Sequence, residues 1–106
     1  MCIRDRAYCL LVESHQHIVG YATFIKQFST WDAAFYLYLD CLYFESEARG
    51  LGLGKQVMQY LMTFAKAQNC SRIEWQTPDF NQPAIRFYQK LGAVPKTKER
   101  FTWLVK

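Results

Sequence analysis

The chain has 106 residues, of which 51% are apolar and 17% aromatic, so it can form one small domain with a core and is too apolar for a disordered segment. Its net charge of +4 is scattered, and the cluster of Lys96, Lys98 and Arg100 is typical of a solvated turn, so no nucleic-acid partner is expected. No apolar run is long enough to span a membrane and no secretory signal is recognisable, so no membrane partner is expected either.

The cysteines and histidines show no metal-binding pattern. The four cysteines are Cys2, Cys9, Cys41 and Cys70, and none has metal-like spacing. We expect Cys9 and Cys41 to be buried thiols, which points to a reducing, cytoplasmic location. His15 and His17 lie in a polar turn without a third ligand nearby in sequence, so a solvated turn is favoured and no metal is expected.

The N-terminal half predicts three β-strands. Residues 1–6 include the charged run Arg4-Asp5-Arg6 and are predicted to be a stub outside the domain, which we place at residues 7–106. Strand patterns follow at residues 7–13, 18–28 and 35–44. Gly20 predicts a bulge or a close backbone approach, and the apolar third strand should be central.

The C-terminal half predicts two helices and three further strands. Apolar residues recur at helical spacing over residues 52–68, and a second helix should begin near Asn81 or Gln82, with Pro83 in its first turn and Gly92 as its stop. Strands are predicted at residues 72–76, 93–98 and 101–105. The predicted order is therefore β-β-β-α-β-α-β-β, a mixed α/β fold in which the β-α-β unit brings two strands parallel.

A glycine-rich segment, Arg49-Gly50-Leu51-Gly52-Leu53-Gly54-Lys55, joins the third strand to the first helix. Glycines let a backbone approach an anion, and the N–H groups of a first helical turn can hold it. The segment fits neither of two known phosphate loops: a Walker loop would need Gly at Arg49, and a dinucleotide fingerprint would need Gly at Lys55. A plain strand-to-helix turn remains an alternative.

Three segments in this order and spacing resemble the GNAT superfamily of acyl-coenzyme A-dependent N-acetyltransferases, and especially its diamine/polyamine acetyltransferase branch. They are residues 38–44, the pattern Arg49-x-x-Gly52-x-Gly54, and residues 81–93 with Asn81, Tyr88 and Leu91-Gly92-Ala93. The resemblance implies a GNAT-like fold over residues 8–105 and transfer of an acetyl group from acetyl-coenzyme A to a primary amine. A small diamine or polyamine is the expected acceptor, and a protein or peptide amine is the alternative.

The resemblance also implies which residues bind the coenzyme. They are Leu42, Tyr43, Phe44, Arg49, Gly50, Leu51, Gly52, Leu53, Gly54, Lys55, Asn81, Ala84 and Tyr88. The segment 42–44 corresponds to a splayed strand with free backbone groups, and Asn81 could cap its helix as well as bond the pantetheine arm.

Tyr88 and Asp40 are the catalytic candidates. The resemblance implies that Tyr88 faces the thiol, where a phenol could protonate the leaving thiolate; core packing is the alternative. Asp40 lies in an otherwise apolar strand, where burial would raise its pKa, so it is a candidate base. The family branch has a glutamate there, which leaves direct base, water-mediated base, ammonium anchor and structural carboxylate open.

The family normally begins with a strand and one or two helices that form a wall of the amine pocket, whereas six residues precede Ala7 here. We therefore expect either a fragment, lacking part of the amine pocket, or a partner subunit that supplies the wall. The edge strands 7–13 and 101–105 predict a homodimer or larger assembly. Two alternatives to an enzyme are a truncated, non-catalytic acyl-coenzyme A-binding module and a dimerisation domain.

Overall fold

The structure is a computed structural model that describes residues 7–105, except for the side chain of Glu47. These residues form two compact units, 7–76 and 77–105. The elements of the first unit are β1 (Ala7–Ser14), β2 (His17–Ser29), β3 (Ala34–Phe44), a 3₁₀ turn (Ser46–Ala48), α1 (Leu53–Ala67) and β4 (Ile73–Glu74). The second unit contains α2 (Gln82–Lys90).

The first unit is a four-stranded sheet in the order β1-β2-β3-β4. The first three strands are antiparallel neighbours, whereas β4 is parallel to β3 and pairs with it only at Leu37 and Tyr38. The predicted mixed α/β architecture and the central position of the third strand are confirmed.

Two irregularities in register shape this sheet. Val12 pairs with Gly20 but Glu13 pairs with Ile18, so β2 carries one extra residue at Val19, beside the glycine where a bulge or close approach was predicted. Thr23 pairs with Cys41 but Phe24 pairs with Leu39, so Asp40 is an extra residue in β3. A bulge of this kind bends the strand and re-aims its side chains.

Helix α1 covers one face of the sheet. Its buried side chains are Val57, Met58, Leu61 and Ala65. The ring of Phe64 lies 4.9 Å from Tyr8 and 5.3 Å from Phe24, so α1 packs over β1 and β2. Each large apolar side chain buried in this way stabilises the fold by about 1.5–3 kcal/mol.

The short strand β4 is held beside β3 by interactions at its start. The N–H of Ser71 donates to the carbonyl of Phe35 at 2.8 Å, and that of Leu37 donates to Arg72 at 2.9 Å. The guanidinium of Arg72 also pairs with Asp32 at 2.6 Å and with Glu74. Only two residues of the predicted strand 72–76, Ile73 and Glu74, pair as a ladder with β3.

The second unit differs from its prediction. Helix α2 is present, with Gly92 following it at φ 101, but residues 93–105 form no strand. The predicted strands 93–98 and 101–105 are therefore wrong. Trp103 is 95% exposed and Val105 is 99% exposed, and without a hydrogen-bonding partner strand an apolar pattern alone cannot form a ladder.

Candidate functional site

The glycine-rich loop adopts a backbone that only glycine takes up easily. Gly50 and Gly52 have φ values of 81° and 76°, in the left-handed region where other residues are strained. A Cβ built at either position would have nothing within 4 Å, so the space in front of both glycines is open. The loop therefore presents bare backbone to its surroundings.

Helix α1 begins immediately after this backbone, with Gly52 as its N-cap. No side chain caps the helix, and no acidic residue lies in its first turn. The first N–H groups of any α-helix have no acceptor within the helix, and in α1 these are the N–H groups of Leu53, Gly54 and Lys55. The helix dipole makes this end positive. A helix start of this kind suits an anion.

The end of β3 presents backbone groups on an unpaired edge. The N–H of Glu45 donates to Val19 of β2 at 2.8 Å, so Phe44, one residue earlier, points its own backbone groups to the opposite edge. By the same alternation Leu42 points there too, whereas Tyr43 points to β2. Because β4 pairs only with Leu37 and Tyr38, the described part of the chain places no strand along that edge beyond them.

Arg49 connects this edge to the loop. Its Nε donates to the carbonyl of Phe44 at 3.4 Å, and its backbone N–H closes the 3₁₀ turn by donating to Ser46 at 3.2 Å. The first residue of the Arg-x-x-Gly-x-Gly pattern thus ties the loop to the last residue of β3. Sequence spacing alone did not indicate this contact.

The expected burial of Asp40 is wrong. Asp40 is exposed, and it is the extra residue of the bulge in β3. Within residues 7–105 it has no ion pair, so the structural carboxylate alternative finds no partner there. Exposure removes the argument that burial tunes this carboxylate as a base.

The remaining predicted site residues lie on α2, in the second unit. Asn81 is the N-cap, and its Oδ1 accepts from the N–H of Ala84 at 3.4 Å, which confirms the capping role. Tyr88 is half-buried, and burial raises its pKa above 10.0, so its phenol keeps its proton at neutral pH. Its ring lies 5.3 Å from that of Phe87.

A shallow depression beside the loop was not expected from the sequence. It lies between the β1–β2 turn and the start of the loop, and its lining is Ser14, His15, His17, Ile18, Val19, Glu45, Ala48 and Leu51. His15 is one of two turn residues with positive φ, and both histidines are exposed. Among the residues that the structure describes, no group of three or more side chains could hold a metal.

The described cysteines, Cys9, Cys41 and Cys70, are all thiols. Cys9 and Cys41 are only partly buried, rather than buried as expected, because they lie on the sheet face opposite α1. In the part of the chain covered by the structure, no helix is both long and apolar enough to cross a bilayer.

Comparisons with known proteins place the chain in one family. Residues 1–93 match the sequence profile of the acetyltransferase (GNAT) family. Thialysine N-epsilon-acetyltransferase of Bos taurus is 31% identical over 81 residues, covering 76% of this chain and 47% of the relative. Spermidine/spermine N(1)-acetyltransferase-like protein 1 of Homo sapiens is 27% identical over 99 residues, covering 87% of this chain and 14% of the relative. The chain thus spans about half the length of the thialysine acetyltransferase it matches, and far less of the human protein.

Among solved structures, an integron cassette protein from the mobile metagenome of V. cholerae has a TM-score of 0.84 and 27% identity. The superposition covers 98% of this chain and 64% of that protein. The family profile covers most of the chain, including the glycine loop and helix α2. The chain therefore belongs to the GNAT acetyltransferase family.

Proposed function

We propose that this protein binds acetyl-coenzyme A through the loop of residues 49–55 and transfers the acetyl group to a primary amine. The observation that carries the proposal is the uncapped start of α1 behind two left-handed glycines with open space in front of them. Bare backbone, unpaired helix N–H groups and the positive end of a helix dipole suit a pyrophosphate. The exposed cations Arg49 and Lys55 add to the positive charge there.

The unpaired edge of β3 suits the other end of the coenzyme. The backbone groups of Leu42 and the N–H of Phe44 point to this edge, so they could bond an extended, amide-containing arm as a neighbouring strand would. The coenzyme supplies an activated acyl thioester, and the acyl carbonyl needs a donor where negative charge develops. We assign that donor to the backbone N–H groups of this edge.

Tyr88 and Asp40 are proposed to act on protons and charge. Tyr88 keeps its phenolic proton because burial raises its pKa, so it can donate to a departing thiolate. Asp40 is exposed, which favours attraction of a cationic amine over direct proton abstraction. The role of ammonium anchor is thus the one that we propose for Asp40.

The acceptor is proposed to be a small primary amine. Two relatives are named for thialysine and for spermidine/spermine, and we infer an acceptor of that class, an amine on a flexible aliphatic chain. A protein or peptide amine is the alternative acceptor.

We further propose a cytoplasmic location, since the described cysteines are thiols, and a homodimer.

Substitution of Gly52 by Asp tests the loop, because it places a carboxylate and a side chain where the phosphates would approach. Gly92→Asp is a matched control, since Gly92 also has positive φ and open space around its Cα, and the change adds the same charge. We expect wild-type and Gly92→Asp proteins to bind acetyl-coenzyme A in calorimetry, and Gly52→Asp to lose at least about 100-fold in affinity, or about 2.7 kcal/mol.

Acetyl transfer to spermidine, followed by mass spectrometry, tests the reaction itself. Equal binding by Gly52→Asp and wild type would refute the assignment of the loop. Binding without transfer to spermidine, thialysine or a lysine peptide would instead identify an acyl-coenzyme A-binding module. No binding by the wild type would favour a dimerisation domain.

A further inference from the structure

Gly20 of β2 lies against the end of β3 more closely than any side chain allows. A Cβ built at Gly20 would be 2.5 Å from the carbonyl oxygen of Tyr43 and 2.5 Å from a ring carbon of Phe44. Ordinary van der Waals contact begins near 3.4 Å. One of the two contacts is with backbone, so rotation of a side chain cannot relieve it.

The close approach is part of a continuous connection to the glycine loop. Next to Gly20, the carbonyl of Val19 accepts from the N–H of Glu45 at 2.8 Å, which fixes β3 at its last residues. The carbonyl of Phe44 then accepts from Arg49 Nε at 3.4 Å, and the 3₁₀ turn leads to Gly50. The missing side chain of Gly20 thus allows β2 to lie close to the end of β3, where this connection to the loop starts.

We propose that Gly20 is a positioning residue for coenzyme binding: the absence of its side chain sets the distance between β2 and the end of β3, and thereby the place of Phe44, Arg49 and the loop. The inference rests on the proposed function, because it concerns how the same loop is held. Any larger residue at position 20 must push the end of β3 outward by on the order of 1 Å, a displacement that can cost about 10²-fold in activity when it misplaces reacting groups. Gly20 itself need not touch the coenzyme.

The direct test is Gly20→Ala, with Ile25→Ala as the control. Ile25 lies in the same strand and is partly buried, but it pairs with Ala7 and Tyr38, away from the end of β3. Both changes should lower the melting temperature. We expect Gly20→Ala to weaken coenzyme A binding at least about tenfold in calorimetry at a temperature where circular dichroism shows it folded, and Ile25→Ala to bind like wild type.

The outcome separates positioning from general destabilisation. If Gly20→Ala binds coenzyme A as wild type does, or if Ile25→Ala loses as much affinity at a similar loss of stability, Gly20 is not a positioning residue. If wild type itself does not bind coenzyme A, the proposed function fails first. The two failures are therefore distinguishable.

Hydrogen exchange on the wild type covers the case in which Gly20→Ala does not fold. The amide of Glu45 reports the contact between β3 and Val19, whereas the amide of Tyr38 reports the middle of β3. We expect saturating coenzyme A to slow exchange at Glu45 at least about fivefold more than at Tyr38, since the ligand would stabilise the connection on which it depends. Equal slowing at both amides would overturn the proposal.

Discussion

The glycine loop and helix α2 both carry residues proposed to be functional, and they are built in different ways. The loop follows a strand and precedes a helix that buries Val57, Met58, Leu61 and Ala65, and it offers backbone groups. Helix α2 has no fully buried residue and offers the side chains of Asn81 and Tyr88. A site made of backbone depends on the packing beneath it, whereas a site made of side chains depends on single functional groups.

If that difference holds, removing the hydroxyl group of Tyr88 on α2 should have the largest effect on turnover. Tyr88→Phe should leave coenzyme A affinity unchanged and slow turnover by about 10²–10⁴-fold, the range for loss of a proton-transfer group. Steady-state kinetics and calorimetry on the same preparation measure both quantities. Unchanged turnover would mean that Tyr88 only packs.

The same substitution should also change how the free energy of unfolding depends on pH. Burial raises the folded-state pKa of Tyr88 above 10.0, so the folded protein holds this proton more tightly than the unfolded chain does. The contribution of protonated Tyr88 to the stability of the fold is fully present below pH 10 and is lost as the pH rises through the raised pKa. Denaturant unfolding should therefore show a decline above pH 10 that is smaller in Tyr88→Phe.

A smaller effect is expected at Asp40, because this carboxylate is exposed. An exposed ion pair is worth about 0.2–1 kcal/mol, so Asp40→Asn should weaken the apparent affinity for a cationic amine, measured as a rise in KM, by at most about fivefold. We expect turnover at saturating amine and coenzyme A affinity to stay unchanged. If turnover instead fell by about 10²-fold or more, the size typical of a lost base, Asp40 would be restored as a general base.

The smallest expected change is in molecular mass. Strand β1 is an edge of the described sheet, and Phe101, Trp103, Leu104 and Val105 are 76–99% exposed, so both regions could pair with a second copy. Light scattering at high micromolar concentration should give about twice the 12.5 kDa of one chain. Trp103→Ser with Val105→Ser should halve that mass, while Trp31→Ser, equally exposed but in the β2–β3 turn, should not. A monomeric wild type would contradict the homodimer.

The contrast between the two regions also explains which predictions from sequence succeeded. The helices and the first three strands could be predicted because their periodicity, caps and glycines are local signals; the glycine spacing likewise led to the correct strand-loop-helix. The exposure of Asp40 depends on which face of the sheet is covered by other elements, which no local pattern encodes, so its burial was mispredicted. The strands at residues 93–98 and 101–105 failed for a related reason: residues 101–105 are mostly apolar, as in a strand, but a strand also requires a partner, and residues 93–98 contain Pro95, which cannot donate to a ladder.

The pairing of β4 has a consequence for the order in which the fold assembles. Turns of two and four residues join β1, β2 and β3, so these strands can pair through short-range contacts. In contrast, Ser71 meets Phe35 across 36 residues, and closing so long a segment slows formation of the contact. We therefore expect the antiparallel meander to fold early and β4 to join it late. A chain emerging from the ribosome would build the strand that carries the loop before the parallel strand that completes the sheet.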